Sequence, residues 1–455
     1  MTSSRNIAIF HYKVGGTDGV SLEIDKWKRV LEEMGHSVYL CAGDLGSVEG
    51  TLIKEFYHHY PPIERLYRNT FLTLSDLNVD SYRYEMEHWV EVFSQRLREF
   101  INKNKINLLI PQNIWSVAAN PPLAIAMARV MREYKLPTVA HHHDFYWERY
   151  ENIALTCSPA IDLADKYLPP RDSTIKHVVI NSLTQKELLE HKGISSEVVT
   201  NVFDFDGTTW KIDADNADFR ERLGLRENDL LILQATRIVP RKGIELAIDF
   251  VKALNLPERR ARLQKQGLYN GKHFDESSRI VLVLVGYATD DLTGHYKQSL
   301  QQKAKKAGVE TLFIEDLVRG RRGSLKNQKV YSLWDTYPHA DLITYPSLWE
   351  GWGNQLLEAL YAKLPVVLFE YPVYQKDIAD KKFKVISLGN KIVSQDSQGL
   401  VQVSPDVIER AANQAIDFLT KSDYREQVVE YNYEVAQENY SLAVLRRHLD
   451  ELIGS

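Results

Sequence analysis

The stretch from Asp341 to Lys376 constrains this chain more than any other. An apolar run, Asp341 to Tyr345, hands over to Pro346-Ser347-Leu348-Trp349-Glu350-Gly351-Trp352-Gly353. The spacing then predicts a helix over about Asn354 to Lys363 and a second strand over Leu364 to Glu370. A junction where a buried parallel strand passes into a helix is where α/β sheets take ligands. Glycine lets the backbone approach closely and the free amides of a helix start attract anions, so a phosphate suits this loop. Glu358 falls one turn after Asn354 on the same helix face. Two carboxylates beside an anion site make sense for a ligand that also carries hydroxyls, and a nucleotide sugar carries both. Two glutamates at this spacing are also compatible with a plain solvated face.

A chain of 455 residues exceeds what one hydrophobic core usually supports, so two domains are expected. A net charge of -5 gives no reason to expect nucleic acid as a partner. Cys41 and Cys157 cannot build a disulfide framework and suit a reducing cytoplasm. The polar start, Met1 to Asn6, leads into a strand without the pattern of a signal peptide. Apolar runs such as Ile280 to Val285 fall well short of the ~20 residues of a membrane helix, so no transmembrane segment is expected.

The N-terminal half opens with Ile7-Ala8-Ile9-Phe10, a glycine-rich loop (Gly15-Gly16-Thr17-Asp18-Gly19) and helical spacing over Val20 to Met34. Strand, glycine loop and helix begin a Rossmann-like unit, but the glycine spacing is not that of dinucleotide enzymes. Strand and helix signals alternate onward through Ser37 to Cys41, Glu85 to Lys103, Asn107 to Pro111, Pro121 to Tyr134, Pro137 to Ala140, Lys176 to Asn181 and Glu197 to Phe203. This rhythm predicts a parallel sheet. The segment from Phe56-Tyr57-His58-His59-Tyr60 through Arg65, Arg68 and Arg83 reads as irregular rather than as core. Its arginines hint at an acidic acceptor, although scattered arginines are more often surface. His141-His142-His143 follows a strand, where a histidine would face a ligand. Adjacent residues of extended chain point to opposite sides, so the triplet is a poor metal site, and no metal ligands are assigned.

In the C-terminal half, Lys211 to Asn228 reads as a polar interdomain linker, followed by the strand Leu230-Leu231-Ile232-Leu233. The strand runs into Ala235-Thr236-Arg237-Ile238-Val239-Pro240-Arg241-Lys242-Gly243 and a helix over Ile244 to Ala253. Arg237 at the strand tip and Lys242 at the helix start converge where the helix dipole adds positive potential, the setting a leaving diphosphate needs. Glu258 to Ser278 looks like a charged insertion, and Arg319-Gly320-Arg321-Arg322 like solvated surface. Tyr440 to Ile453 is amphipathic.

Glu350 and Glu358 within Pro-Ser-x-x-Glu-Gly-x-Gly, followed by Leu364-Pro365-Val366-Val367, resemble the signature of glycosyltransferase family 4. Arg237 to Gly243 resembles that family's diphosphate clamp, and His143-Asp144 its histidine cluster, with His142 the alternative by one register step. The resemblance implies the GT-B fold: two Rossmann-like domains, about 1–207 and 208–432, facing a cleft, with a C-terminal helix, 433–455, returning to the first domain. It implies a retaining enzyme moving a hexose, glucose or mannose type, from a nucleoside-diphosphate sugar to an acceptor hydroxyl as an α-glycoside. Arg237 and Lys242 would hold the diphosphate, Glu350 and His143 the sugar, and Glu358 the ribose. Asn354 joins the nucleotide site, and Gly15 and Gly16 approach the diphosphate and acceptor. The base would lie near Leu312 to Leu317. No cofactor beyond the donor is expected, and a divalent metal is expected to be dispensable. The acceptor would be a small molecule, a glycan or a lipid-linked acceptor, and the location cytoplasmic. A nucleotide-sugar epimerase or phosphorylase, or a non-catalytic nucleotide-sugar-binding subunit, shares the fold. Sugar, base, acceptor and oligomeric state stay open at this level.

Overall fold

The structure, a computed structural model, describes residues 4–149, 153–286 and 294–454, so Met1 to Ser3 of the polar N-terminus lie outside it. The chain forms two compact units, Met1–Val202 with Leu442–Ser455, and Phe203–Ser441.

The first unit is built on parallel strands β1 (Asn6–His11), β2 (Ser37–Ala42), β3 (Thr51–Leu52), β4 (Leu108–Pro111), β5 (Thr138–His142), β6 (Ile175–Val179) and β7 (Glu197–Val198), in the order β3-β2-β1-β4-β5-β6-β7. Central β1 pairs with both neighbours, Ile7 opposite Val38 on one side and Leu108 on the other. A strand covered on both faces has no polar alternation, which is why Ile7-Ala8-Ile9-Phe10 is wholly apolar. The two-residue period still sorts its side chains. Ile7 and Ile9 meet Trp27, Val30, Leu445 and Leu449, whereas Ala8 and Phe10 join Phe93, Leu97, Leu123 and Met127. One layer therefore comprises helix Gly19–Glu33 and the C-terminal helix Leu442–Gly454, and the other Val79–Asn104 and Pro121–Tyr134. The C-terminal helix turns Leu442, Leu445, Leu449 and Leu452 inward, and Lys176 Nζ donates to the Leu452 carbonyl at 2.8 Å.

The segment expected to be irregular is part of this core. Pro61–Phe71 is a helix, and Phe56, Ile63, Leu66 and Phe71 are fully buried. The inward stripe is narrow and the outward face carries Arg65 and Arg68, so charge masked the helical period. Both arginines form ion pairs on the outward face. Arg65 pairs with Asp76 at 2.8 Å and Glu85 at 2.9 Å, and Arg68 with Asp76 at 3.0 Å. The following helix starts at Val79 rather than Glu85, because Asn78 and Ser81 form a reciprocal cap.

The second unit carries parallel strands β8 (Leu230–Gln234), β9 (Ile280–Leu284), β10 (Glu310–Phe313), β11 (Leu342–Tyr345), β12 (Val366–Leu368) and β13 (Ile386–Ser387), ordered β10-β9-β8-β11-β12-β13. Leu230, Ile232, Leu282 and Leu284 meet a layer supplied by helices Ile244–Leu254, His295–Ala307 and Pro405–Thr420. Two polar segments are more integrated than expected, whereas Arg321 and Arg322 are exposed, as a solvated basic loop would be. Lys211 to Asn228 folds onto this unit: Phe219 is fully buried and Asn216 Nδ2 donates to Asp335 at 3.1 Å. Within Glu258 to Ser278, helix Pro257–Gln266 buries Arg259, which donates to the Ala253 carbonyl at 2.8 Å. Arg322 is tied to Asp335, to Asp213 at 2.8 Å and to Asp215 at 3.0 Å. Arg259 also pairs with Glu409, and Arg322 with Asp213 and Asp215, carboxylates far along the chain that periodicity does not reveal.

Candidate active site

In the second sheet the chain travels outward from β8 in one direction and from β11 in the other. Loops leaving two such neighbouring strands diverge and open a crevice at their C-terminal ends. They are the loops that carry Arg237 and Lys242 on one side and Glu350 on the other. Lys242 and Glu350, 3% and 7% exposed, form a direct ion pair across the two loops. Arg241, which sequence reasoning passed over, completes it: one Nη1 donates to Glu350 Oε2 at 2.9 Å and to the Trp349 carbonyl at 3.2 Å. A backbone bond from Leu348 N–H to the Arg241 carbonyl at 2.8 Å staples the loops together. Arg237 is exposed on the same loop, and its charge is felt at Lys242.

Burial raises the Glu350 carboxyl, but Lys242, Arg241 and Ser347 outweigh it and hold the group at about 2. Burial lowers the Lys242 ammonium to about 8, with Arg241 and Arg237 acting in the same direction and Glu350 opposing them. At neutral pH the pair is therefore ionised on both sides, with an excess of positive charge from Arg237 and Arg241. A carboxylate has about four lone-pair positions, so Glu350 keeps capacity to accept hydroxyls beyond its two cations.

Gly353 sets the exit from this loop. Its φ of +140° is one that residues with a side chain adopt only under strain, and a Cβ there would lie 2.2 Å from Tyr371 Oη. Tyr371 Oη–H in turn donates to the Trp352 carbonyl at 2.7 Å. Asn354 then opens helix Asn354–Tyr361. Glu358, on that helix, is buried and accepts from Tyr337 Oη at 2.5 Å. Tyr337 comes from the turn Leu333–His339, and its own ionisation is suppressed by burial and by Glu358. Glu358 is thus held by a neutral hydroxyl, apart from the cations that hold Glu350.

The first unit repeats the topology, with β1 and β4 at its divergence. Gly15 and Gly16 lie on the loop after β1; a Cβ on Gly15 would sit 2.5 Å from the Leu45 carbonyl, so that glycine serves close loop packing. His143 follows β5 and is 7% exposed. Its Nε2 lies 2.9 Å from Gln112 Oε1, and since an amide oxygen only accepts, Nε2 carries the proton. Its backbone N–H donates to Asn113 Oδ1 at 2.7 Å. Burial lowers His143 to about 3, so the ring is neutral. His142 instead faces His177 at 3.0 Å, and His141 stacks on Trp27 at 4.4 Å. His141 and His143 thus share one face of the strand end, their ring centroids 4.2 Å apart, while His142 turns to the other face. Among the described residues no group of three His, Cys, Asp or Glu is arranged to hold a metal, and no helix is long and apolar enough to cross a membrane.

Arg241 escaped the sequence because a charged residue beside Lys242 in a tight turn has no period to betray its direction. Gln112 and Tyr337 escaped because they act from separate strands and turns. The available signals were the tight placing of Pro240 before Arg241 and of Gln112 at the end of a buried strand.

The profile described as glycosyl transferases group 1 matches residues 215–435, which contain both of the second unit's diverging loops. The chain is 39% identical to the mannosylglucosylglycerate synthase of Petrotoga mobilis, over 91% of this chain and 93% of that protein. It is 36% identical to the mannosylglucosylglycerate synthase of Thermotoga maritima, over 96% of both. Anabaena Alr3699/HepE in complex with UDP superposes with a TM-score of 0.59 at 15% identity, covering 99% of each chain, which establishes a shared GT-B fold. With its two parallel-sheet units, its diverging loops and relatives at this identity over nearly full length, the chain belongs to the group 1 glycosyl transferases.

Proposed function

We propose that the protein is a retaining hexosyltransferase that moves mannose from a nucleoside-diphosphate donor to glucosylglycerate, forming an α-glycoside. The observation that carries the reading is the buried Lys242–Glu350 pair, flanked by Arg241, at the divergence of β8 and β11. The sugar and acceptor are taken from the names of the two relatives. Arg237 and Lys242 bind the diphosphate and stabilise the charge that develops as it leaves. Glu350 accepts sugar hydroxyls, and neutral His143 offers a further polar contact to the sugar. Asn354 and Glu358 serve the nucleotide, with Tyr337 orienting Glu358 toward the ribose. Gly15 and Gly16 line the approach of the acceptor.

Both oxygens of Glu350 are engaged by cations, so it suits a hydroxyl acceptor better than a nucleophile. Attack of the acceptor hydroxyl from the face of the departing diphosphate follows, with a phosphate oxygen taking the hydroxyl proton. The cations of this site meet the diphosphate charge, and turnover without added divalent metal is part of the reading. Free Cys41 and Cys157 favour a reducing, cytoplasmic location.

The test is incubation of the purified protein with glucosylglycerate and a panel of nucleoside-diphosphate sugars, followed by mass spectrometry. A hexosyl product that forms only when the acceptor is present, with release of nucleoside diphosphate, supports transfer. Nucleotide-sugar isomerisation without acceptor would instead indicate an epimerase.

A further inference from the structure

We infer that Arg241 and Trp349 together form a subsite for an anionic glycoside acceptor, the pyranose ring lying on the indole and the carboxylate on the guanidinium. The inference rests on the transferase reading above and adds a contribution from the second unit to acceptor recognition.

Trp349 is 40% exposed, yet it is not loosely held. Its carbonyl accepts from Arg241 at 3.2 Å, and the Arg241 guanidinium carbon stands 5.7 Å from the indole centroid. Carbon atoms in direct stacking contact approach to about 3.5–4.0 Å, so the guanidinium flanks the indole and the two offer neighbouring patches. A large aromatic surface left open beside a carboxylate is the chemistry of a sugar site: the carboxylate takes hydroxyls and the ring face takes C–H groups.

Arg241 supplies the charge. Among the described residues its bonds to Glu350 and Trp349 both use Nη1, which leaves the Nε and Nη2 edge of the fork without a partner. Its side chain is 34% exposed. A planar fork with one free edge is suited to a carboxylate in two parallel hydrogen bonds. Lys242, by contrast, is buried beside Glu350 and is assigned to the diphosphate. The guanidinium bonds Glu350 Oε2 and flanks the Trp349 indole, so a pyranose on the indole and a carboxylate on the guanidinium would both lie beside the loop that carries Glu350.

The experiment compares Arg241→Gln, Trp349→Ala and Trp349→Phe with the natural chain. Steady-state kinetics use glucosylglycerate, methyl glucoside and the best nucleotide-sugar donor, and calorimetry measures nucleoside-diphosphate binding. Arg241→Gln raises KM for glucosylglycerate about 10- to 100-fold and erases its advantage over methyl glucoside. Trp349→Ala raises KM for both acceptors about 2- to 10-fold, and Trp349→Phe restores most of the loss. Nucleoside-diphosphate affinity stays within about twofold in all three, which also reports that the unit is folded. If Arg241→Gln weakens nucleoside-diphosphate binding as much as it raises the acceptor KM, Arg241 is a diphosphate ligand and the subsite is overturned. Unchanged acceptor KM in Trp349→Ala overturns it as well. Absence of any transfer to glucosylglycerate by the natural chain overturns the transferase reading first, and the subsite with it; normal transfer with unresponsive variants overturns the subsite alone.

Discussion

Replacing Lys242 by methionine isolates what the buried pair does. The substitution keeps the volume of the stem and removes the charge. Glu350 is held at about 2 against an ordinary 4.5, which corresponds to roughly 3 kcal/mol in favour of its ionised form. Removing Lys242 leaves that carboxylate buried with Arg241 as its remaining cation, and breaking a buried pair from one side destabilises by about 3–5 kcal/mol. For a unit the size of Phe203–Ser441, where each kcal/mol moves the midpoint by about 2–4 °C, the transition should fall by roughly 6–20 °C. Lys242→Met combined with Glu350→Gln removes both charges and should recover most of that loss, since a buried pair contributes little net stability. Differential scanning calorimetry of the two single variants and the double variant measures the coupling. Losses that simply add would mean that Lys242 and Glu350 do not depend on each other, and the reasoning would fail. Glu350→Gln should keep nucleoside-diphosphate binding while losing turnover, whereas Lys242→Met should lose both.

Other outcomes follow from the same geometry. Nucleoside-diphosphate affinity should decline as pH rises through about 8, where Lys242 loses its proton; calorimetric titration between pH 6 and 9.5 reads it. The linkage to stability has the opposite sign: between about 8 and the ordinary 10.5 the unfolded chain binds the proton more tightly, so this group's contribution to stability rises with pH. Treatment with a chelator should leave turnover unchanged, and restoration of lost activity by magnesium or manganese would count against charge compensation by Arg237 and Lys242. Gly353→Ala forces a Cβ onto Tyr371 Oη at a backbone angle that suits glycine, and should destabilise the second unit by about 2–5 kcal/mol, read as a lowered midpoint. Leu445→Ala opens a cavity between the C-terminal helix and β1, and should cost the first unit about 2–5 kcal/mol in a chemical denaturation.

Where the chain is repetitive, its fold was legible. Ile7 to Phe10 and Leu230 to Leu233 are apolar throughout because both faces of a parallel sheet are covered, and glycines mark the turns at their ends. The diverging loops were legible for the same reason: Lys242, Glu350 and Gly353 stand at fixed spacing from strands that announce themselves. What stayed hidden depends on partners far along the chain. Helix Pro61–Phe71 was obscured because Arg65 and Arg68 find Asp76 and Glu85 outside it, so its charged face looked like a loop. Glu358 was read by its distance from Glu350, but the hydroxyl that orients it belongs to Tyr337, which precedes β11. Arg241 is adjacent to Lys242, and only the fold of the turn reveals that both reach the same carboxylate.

A crystal structure with a nucleoside-diphosphate sugar bound is the most direct trial. The diphosphate should lie within hydrogen-bond distance of Arg237 and Lys242, with sugar hydroxyls on Glu350 and the ribose beside Glu358. A diphosphate seated away from the loops that follow β8 and β11, or a sugar with no contact to Glu350, would contradict the assignment.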